Sequence, residues 1–292
     1  MELHDPIEQQ GVAKSVLITG CSSGIGRATA IRLAEHGFTV FATVRKQAHA
    51  GELRQLGIAN LVPICPLDLN DRGQISAVAE SVGAELRRRG EPGLYALVNN
   101  AGGGTPAPVE LMDLDEFQRE LQARVLGSVA MVQAFLPSIR QAGGRLVWIM
   151  TPALMPTPYV TGIHACDFAL NCVARTLDIE LKAWGIANIM VRCGGIRTPA
   201  GLRTTSDVEA LLRKGSPERV ALYEKALREW GREMAAFDRK RTEPEVVAET
   251  VLKALTARTA KRRYSVGYMA GAAGLLEALP QPAADWILRM RF

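Results

Sequence analysis

The segment Thr19-Gly20-Cys21-Ser22-Ser23-Gly24-Ile25-Gly26 constrains this chain more than any other. It joins a short β-rich run at 15–19 to a stretch, 25–36, whose apolar residues recur at helical spacing and which stops at Gly37. Glycines in a strand-to-helix turn let the backbone bend tightly and bring amide N–H groups against a phosphate, which the positive end of the following helix also favours. The expected phosphate cradle comprises Gly20, Ser22, Ser23, Gly24, Ile25 and Gly26.

The same alternation continues downstream. Runs at 39–44, 61–65, 96–98, 145–150 and 188–192 read as strands, each separated from the next by a helical pattern. Strands alternating with helices of this length specify a parallel sheet covered on both faces, so the expected fold class is α/β, a doubly wound parallel sheet of Rossmann type. One domain over 1–292 accounts for the length, with an insertion breaking the rhythm at about 200–240. Residues 206–236 form a long, highly charged helical stretch placed to roof a pocket at the strand ends, and a helix follows at 244–257. The tail, about 268–292, is rich in Ala and Leu; it is amphipathic enough to rest on a membrane surface, but packing against the lid or a partner subunit is the favoured expectation.

Composition removes several classes of function. Apolar residues at 48% and charged residues at 22% suit a globule with a large core. Lys and Arg exceed Asp and Glu by 35 to 30, with short clusters at 87–89 and 261–263, and aromatic residues are 5%, so no basic, aromatic-interleaved face for nucleic acid is expected. Cys21, Cys65, Cys166, Cys172 and Cys193 are scattered, without a CxxC pair or His spacing for zinc, which points to a reduced, cytoplasmic protein with no metal site. The start, MELHDPIEQQ, lacks the basic and apolar parts of a signal peptide, and no apolar run reaches the roughly 18 residues of a membrane span.

The wider T-G-x-x-x-G-x-G spacing resembles the short-chain dehydrogenase/reductase family, and three further segments fall in that family's order over about 13–266. Asp68-Leu69 follows the third strand, where the resemblance implies an adenine contact. Asn99-Asn100-Ala101-Gly102 matches the family's N-N-A-G, making Asn99, Ala101 and Gly102 cofactor candidates, and Gly194, Ile196 and Thr198 follow the sixth strand, near the implied nicotinamide. The second strand ends in Arg45-Lys46 without an acid; a carboxylate there would repel a 2′-phosphate and an Arg accommodates one, so NADP(H) is the expected cofactor, with Arg45 and Ser22 at the phosphate.

The reaction end departs from the family. Its members use a Tyr proton donor, a Lys one helical turn later, a Ser and an Asn. Anchored on 144–147 and 169–170, this chain offers Met150, Ile163, Asp167 and Arg124 at the Ser, Tyr, Lys and Asn positions. A slip by one would bring in Thr151, but no Lys stands between Lys46 and Lys182, so the Tyr-Lys pair cannot be rebuilt. Asp167, Arg124 and His164 are therefore the catalytic candidates, with a buried Asp–Arg ion pair the structural alternative.

Three functions fit. The first is an atypical NADP(H)-dependent reductase of an activated, imine-like acceptor, which needs no Tyr. The second is a redox-neutral cyclase, isomerase or dehydratase holding a hydrophobic substrate between Met150, Ile163 and Phe168. The third is a non-catalytic homologue with a sensing or subunit-stabilising role. A homo-oligomer is expected from the family; the helix bearing Val173, Leu177 and Leu181 offers a stripe for it, though core packing is the favoured reading of that stripe, and the lid, the tail and the last strand, 263–266, resemble members acting on retinoids or steroids, implying a bulky lipophilic ligand.

Overall fold

Hydrogen-bond pairing places every strand of the sheet parallel to its neighbour, in the order β3-β2-β1-β4-β5-β6-β7. The computed structural model describes residues 14–152 and 156–291. Its strands are β1 (Ser15–Ile18), β2 (Thr39–Thr43), β3 (Leu61–Ile64), β4 (Ala96–Asn99), β5 (Arg145–Met150), β6 (Ala187–Cys193) and β7 (Arg263–Val266). Because β1 lies between β2 and β4, the strand order reverses there, and the cleft beyond the C-terminal ends of β1 and β4 is where such a sheet receives a ligand.

The strands read as continuous apolar runs because both faces are covered. Val16 and Ile18 join one core layer with Ala30 and Leu33 of α1 (Gly24–Glu35) and Val247 and Val251 of α9 (Glu245–Thr256). Leu17, pointing the opposite way, joins the other layer. That layer contains Val78 of α3 (Arg72–Arg88), Phe135 of α5 (Ser128–Gln141) and Leu170 of α6 (Thr161–Glu180). Full burial of one such side chain is worth roughly 1.5–3 kcal/mol, so the period-two pattern fixes which way each strand end faces.

The charged insertion departs from one long helical stretch. It folds as α7 (Thr204–Lys214) and α8 (Pro217–Asp238), broken at Gly215-Ser216, where Pro217 starts the second helix because its missing N–H is one the helix would leave unpaired anyway. Val208, Leu227 and Trp230 form a small core of their own, against which Leu111, Tyr159 and Val160 pack, and the Tyr159 ring meets Trp230 edge-on at 5.6 Å. The lid is thus seated on the loops that leave β4 and β5.

The tail forms α10 (Ala270–Glu277) and α11 (Gln281–Arg291). Buried Arg192, at the end of β6, pairs with Glu277 and donates to Asn171 Oδ1 of α6 at 3.0 Å, so α10 is anchored to the sheet. Tyr268 packs on Phe237 of the lid, while Trp286 and Met290 remain exposed. No helix among the described residues is long and apolar enough to cross a membrane.

Candidate functional site

Gly20 and Gly24 have positive φ, 74° and 55°, which only glycine adopts without strain, and they carry the turn from β1 into α1. A Cβ at Gly26 would strike the Gly20 carbonyl and lie 2.5 Å from Asn100 Nδ2. Ser23 caps α1 without a side-chain hydrogen bond, and no acid stands in the first turn, so the helix's leading amides keep their positive end open towards the cleft. That geometry fits a pyrophosphate. Ser22 is half-buried and Ser23 exposed beside it, while Ile25 packs against the first core layer.

Asn100 holds this turn. Its Nδ2 donates to the Thr19 and Gly20 carbonyls at 2.9 and 3.3 Å, and Thr19 Oγ1 accepts the Asn100 and Ala101 amides, each at 3.0 Å. Asn99 faces the other way. It pairs in register with Trp148, which belongs to the α3–α5 core layer, so its side chain points into that layer, buried and without a hydrogen-bond partner among the described residues. Odd and even residues of β4 face opposite ways, and the motif alone does not reveal which Asn is which.

The remaining cofactor candidates converge unevenly. Thr198 lies over Gly24, its Cγ2 3.0 Å from where a Cβ would stand, and Ala101 closes on Gly20. Arg45 is exposed at the end of β2. Asp68 Oδ1 accepts from the Asn70 amide and Nδ2 at 3.0 Å each, and buried Leu69 presses on Gly127. Ile196 is core, and Gly194 is bare because the Tyr268 backbone crosses it.

At the reaction end, α4 (Leu114–Leu121) runs into a π-helical turn, Gln122–Gly127, and this wider turn carries Arg124. Such turns are frequent at functional sites because they push one residue out of helical register. Arg124 Nη2 donates to Asp167 Oδ1 at 2.5 Å and Nη1 to the Ile163 carbonyl at 3.3 Å; the Thr151 amide donates to Asp167 Oδ2 at 3.0 Å. Asp167 is fully buried and the Arg124 side chain is 10% exposed. Both carboxylate oxygens are therefore occupied. The guanidinium lies against exposed Gly102, where a Cβ would be 2.7 Å from Nε, so the pair presents Arg124, not Asp167, to the cleft.

Met150 is core, on the same layer as Trp148, whereas Thr151 begins the loop, with its hydroxyl buried and unpaired among the described residues. Phe168 is exposed on the outer side of α6. Among the described residues, Met150 packs in the core, Ile163 lies against Gly104 and Phe168 faces outward, so these three side chains leave their elements in different directions. His164 sits half-buried in the first turn of α6, with its amide donating to the Val160 carbonyl.

A cavity of about 480 Å³ lies instead between α4, the loop after β4 and lid helix α7, lined among others by Thr105, Phe117, Glu120, Gly162, Asp207 and Leu211. Glu120 Oε1 accepts the Thr105 amide at 3.0 Å, and Glu116 accepts the Thr105 hydroxyl at 2.5 Å. Burial pushes the Glu120 carboxyl up, as does the charge of Glu116, while the Thr105 amide and Arg124 pull it down. Asp207 is likewise raised, first by burial and then by Glu116. Sequence reasoning missed Glu120; its position four residues before Arg124, on one helical face, was the available signal.

Residues 14–209 match the family model described as short chain dehydrogenase. The chain is 32% identical over 218 residues to a 3-amino-tetrahydro-pyrrolizinone reductase from Xenorhabdus hominickii, covering 74% of this chain and 73% of that one. It is also 32% identical over 259 residues to retinol dehydrogenase 5 from Mus musculus, covering 87% and 80%. Among solved structures, a short chain dehydrogenase from Burkholderia cenocepacia in complex with NADP superposes with a TM-score of 0.71 at 20% identity, over 95% of this chain and 98% of that one.

Proposed function

The chain belongs to the short-chain dehydrogenase family, and on that premise we propose that it is an NADP(H)-dependent oxidoreductase reducing an activated, imine-like acceptor on a hydrophobic small molecule held under the lid. The observation carrying this reading is the buried Arg124–Asp167 pair beside Ile163. Where the family's Tyr and Lys would protonate an alkoxide, this site holds an alkyl group and a carboxylate already engaged by Arg124 and Thr151. A C=N acceptor is a weaker demand than a ketone, because it is easily protonated before reduction and hydride addition then discharges a cation instead of building an alkoxide. The pyrrolizinone reductase relative, which bears an amine in its substrate's name, and the acidic lining of Glu116, Glu120 and Asp207 support it.

The cofactor part rests on the open N-terminus of α1, the bare glycines and the lack of an acid beside Arg45. When bound, NADPH supplies a hydride. The residues that would hold it are Gly20, Ser22, Gly24, Gly26 and Arg45 at its phosphates, Asp68 and Leu69 at the adenine, and Ala101, Gly102, Ile196 and Thr198 further along the cleft. Arg124, steadied by Asp167, replaces the family's Lys as the cation facing the ribose, and Thr151 offers its hydroxyl to a polar substrate atom. Exposed Phe168 and Ile179 on α6 support assembly of a homo-oligomer through that helix, and the free cysteines suit a reducing cytoplasm.

The test is loss of NADPH absorbance on adding cyclic imines or plain ketones. Turnover restricted to the imines is expected. Brisk reduction of plain ketones, or inertness towards both classes, overturns the reading.

A further inference from the structure

Position 163 faces the loop after β4. Ile163 reaches only as far as Gly104, and the Glu120 carboxylate stands beside it. Both Glu120 oxygens lie 3.2 Å from where a Gly104 Cβ would be, and Oε2 lies 2.6 Å from the corresponding point at Gly162. A side chain at Gly162 would displace the carboxyl, and one at Gly104 would strike Ile163 first and crowd the carboxyl. Thr105 N–H fixes Oε1 at 3.0 Å, whereas Oε2 receives no hydrogen bond from a described residue, and Glu120 lines the 480 Å³ cavity under the lid. The cavity's other walls include Leu111, Met112, Phe117 and Leu211, which suit an apolar ring around one polar atom.

We propose that Glu120 is a catalytic general acid, delivering its proton from Oε2 to the nitrogen of a C=N acceptor in the lid cavity. This rests on the imine-reductase reading above. The Oε2–H bond breaks as the N–H bond forms, giving an iminium ion paired with the Glu120 carboxylate. The iminium carbon then accepts the hydride that bound NADPH would supply, the C=N π pair moving to nitrogen, so that the acceptor gains the two electrons the cofactor gives up. Solvent at the cavity mouth returns the proton to Glu120. The titratable groups facing it are Glu116 and Arg124 on its own helical stretch, the neutral Cys166 thiol on α6, and Asp113, Asp207 and Lys214 around the cavity. Burial and Glu116 hold the carboxyl protonated to a higher pH than an ordinary Glu, which an acid working near neutrality requires.

The experiment compares a neutral cyclic imine with its N-methyl iminium analogue, which carries a permanent charge and needs no proton. For Glu120→Gln in the full chain, kcat on the neutral imine is expected to fall at least about 10²-fold. NADPH affinity by fluorescence titration and the melting temperature should stay at wild-type values, and turnover of the charged analogue, which loses a counter-charge but needs no proton, should fall far less than turnover of the neutral imine. With the neutral imine, wild-type kcat should decline as pH rises through the raised Glu120 value, the Gln variant should show no such step, and Glu120→Asp should recover part of the rate. A Gln variant that reduces the neutral imine as well as wild type, or one with normal melting and NADPH affinity that loses both substrates equally, overturns this assignment alone. Wild type inert towards both substrates overturns the imine reading and the assignment with it.

Discussion

Removing Asp167 isolates what the buried ion pair contributes. In the wild type its carboxylate is fully buried, with one oxygen 2.5 Å from Arg124 Nη2 and the other 3.0 Å from the Thr151 amide. Asp167→Ala leaves the Arg124 guanidinium buried without a counter-charge, a loss of about 3–5 kcal/mol for a pair of this kind. The Thr151 N–H also loses its acceptor, a cost that falls within that range. At roughly 2 °C per kcal/mol, the low end for a chain of this size, the melting temperature falls by about 6–10 °C. Asp167→Asn lies in between: its one amide oxygen can accept from Arg124 or from Thr151, and its NH₂ then faces the other donor. The double variant Arg124→Met/Asp167→Leu removes both charges and fills the space, and so recovers most of the stability, since apolar replacement of a buried pair is often neutral or stabilising. It should still lose NADP(H) affinity, because the ribose-facing cation is gone. Denaturant unfolding followed by circular dichroism, together with cofactor titration, reads both quantities. An Asp167→Ala protein within about 1 kcal/mol of wild type, or a double variant no more stable than that single one, refutes the reasoning.

Gly26→Ala drives a methyl into the Gly20 carbonyl and Asn100 Nδ2, and a cost of about 1–3 kcal/mol should appear as a tenfold or greater loss of cofactor affinity by calorimetry; unchanged affinity would show the turn to be plastic. Arg45→Glu should shift preference from NADP(H) to NAD(H) by about tenfold to hundredfold, the worth of one charge-assisted contact to the 2′-phosphate, and an unchanged ratio would place that phosphate elsewhere. Burial raises the carboxyl of Glu91, which accepts from Ser15 Oγ at 2.7 Å. The fold therefore favours its neutral form, and the stability it contributes is complete below the ordinary carboxylate range and lost as pH rises through the raised value. Glu91→Gln, neutral throughout, should gain on wild type in melting temperature between pH 4 and pH 8, and a pH-independent difference would contradict this.

By itself the sequence determined the layered α/β fold, the glycine turn at 20–26 and the lack of any Lys between Lys46 and Lys182, because these are local: a period of two or 3.6, a run of glycines, a residue type along a stretch. Strand ends came out within a residue or so for the same reason; only the position where a strand stops facing a neighbour remained to be fixed, as at Thr19, whose side chain already serves the turn. Which face a residue presents depends on what packs there, and only the tertiary structure decided it. It turned Asn99 into the core and gave the turn to Asn100, buried Met150 and left Thr151 at the loop, and broke the lid at Gly215 over its own small core. Arg124 and Asp167 meet across 43 residues of chain, and Glu120 reaches Gly162 from a different helix. Contacts between elements so far apart in sequence are set by how the helices dock on the sheet, and it is that docking which seals Asp167 away and brings the Glu120 carboxyl to the cavity.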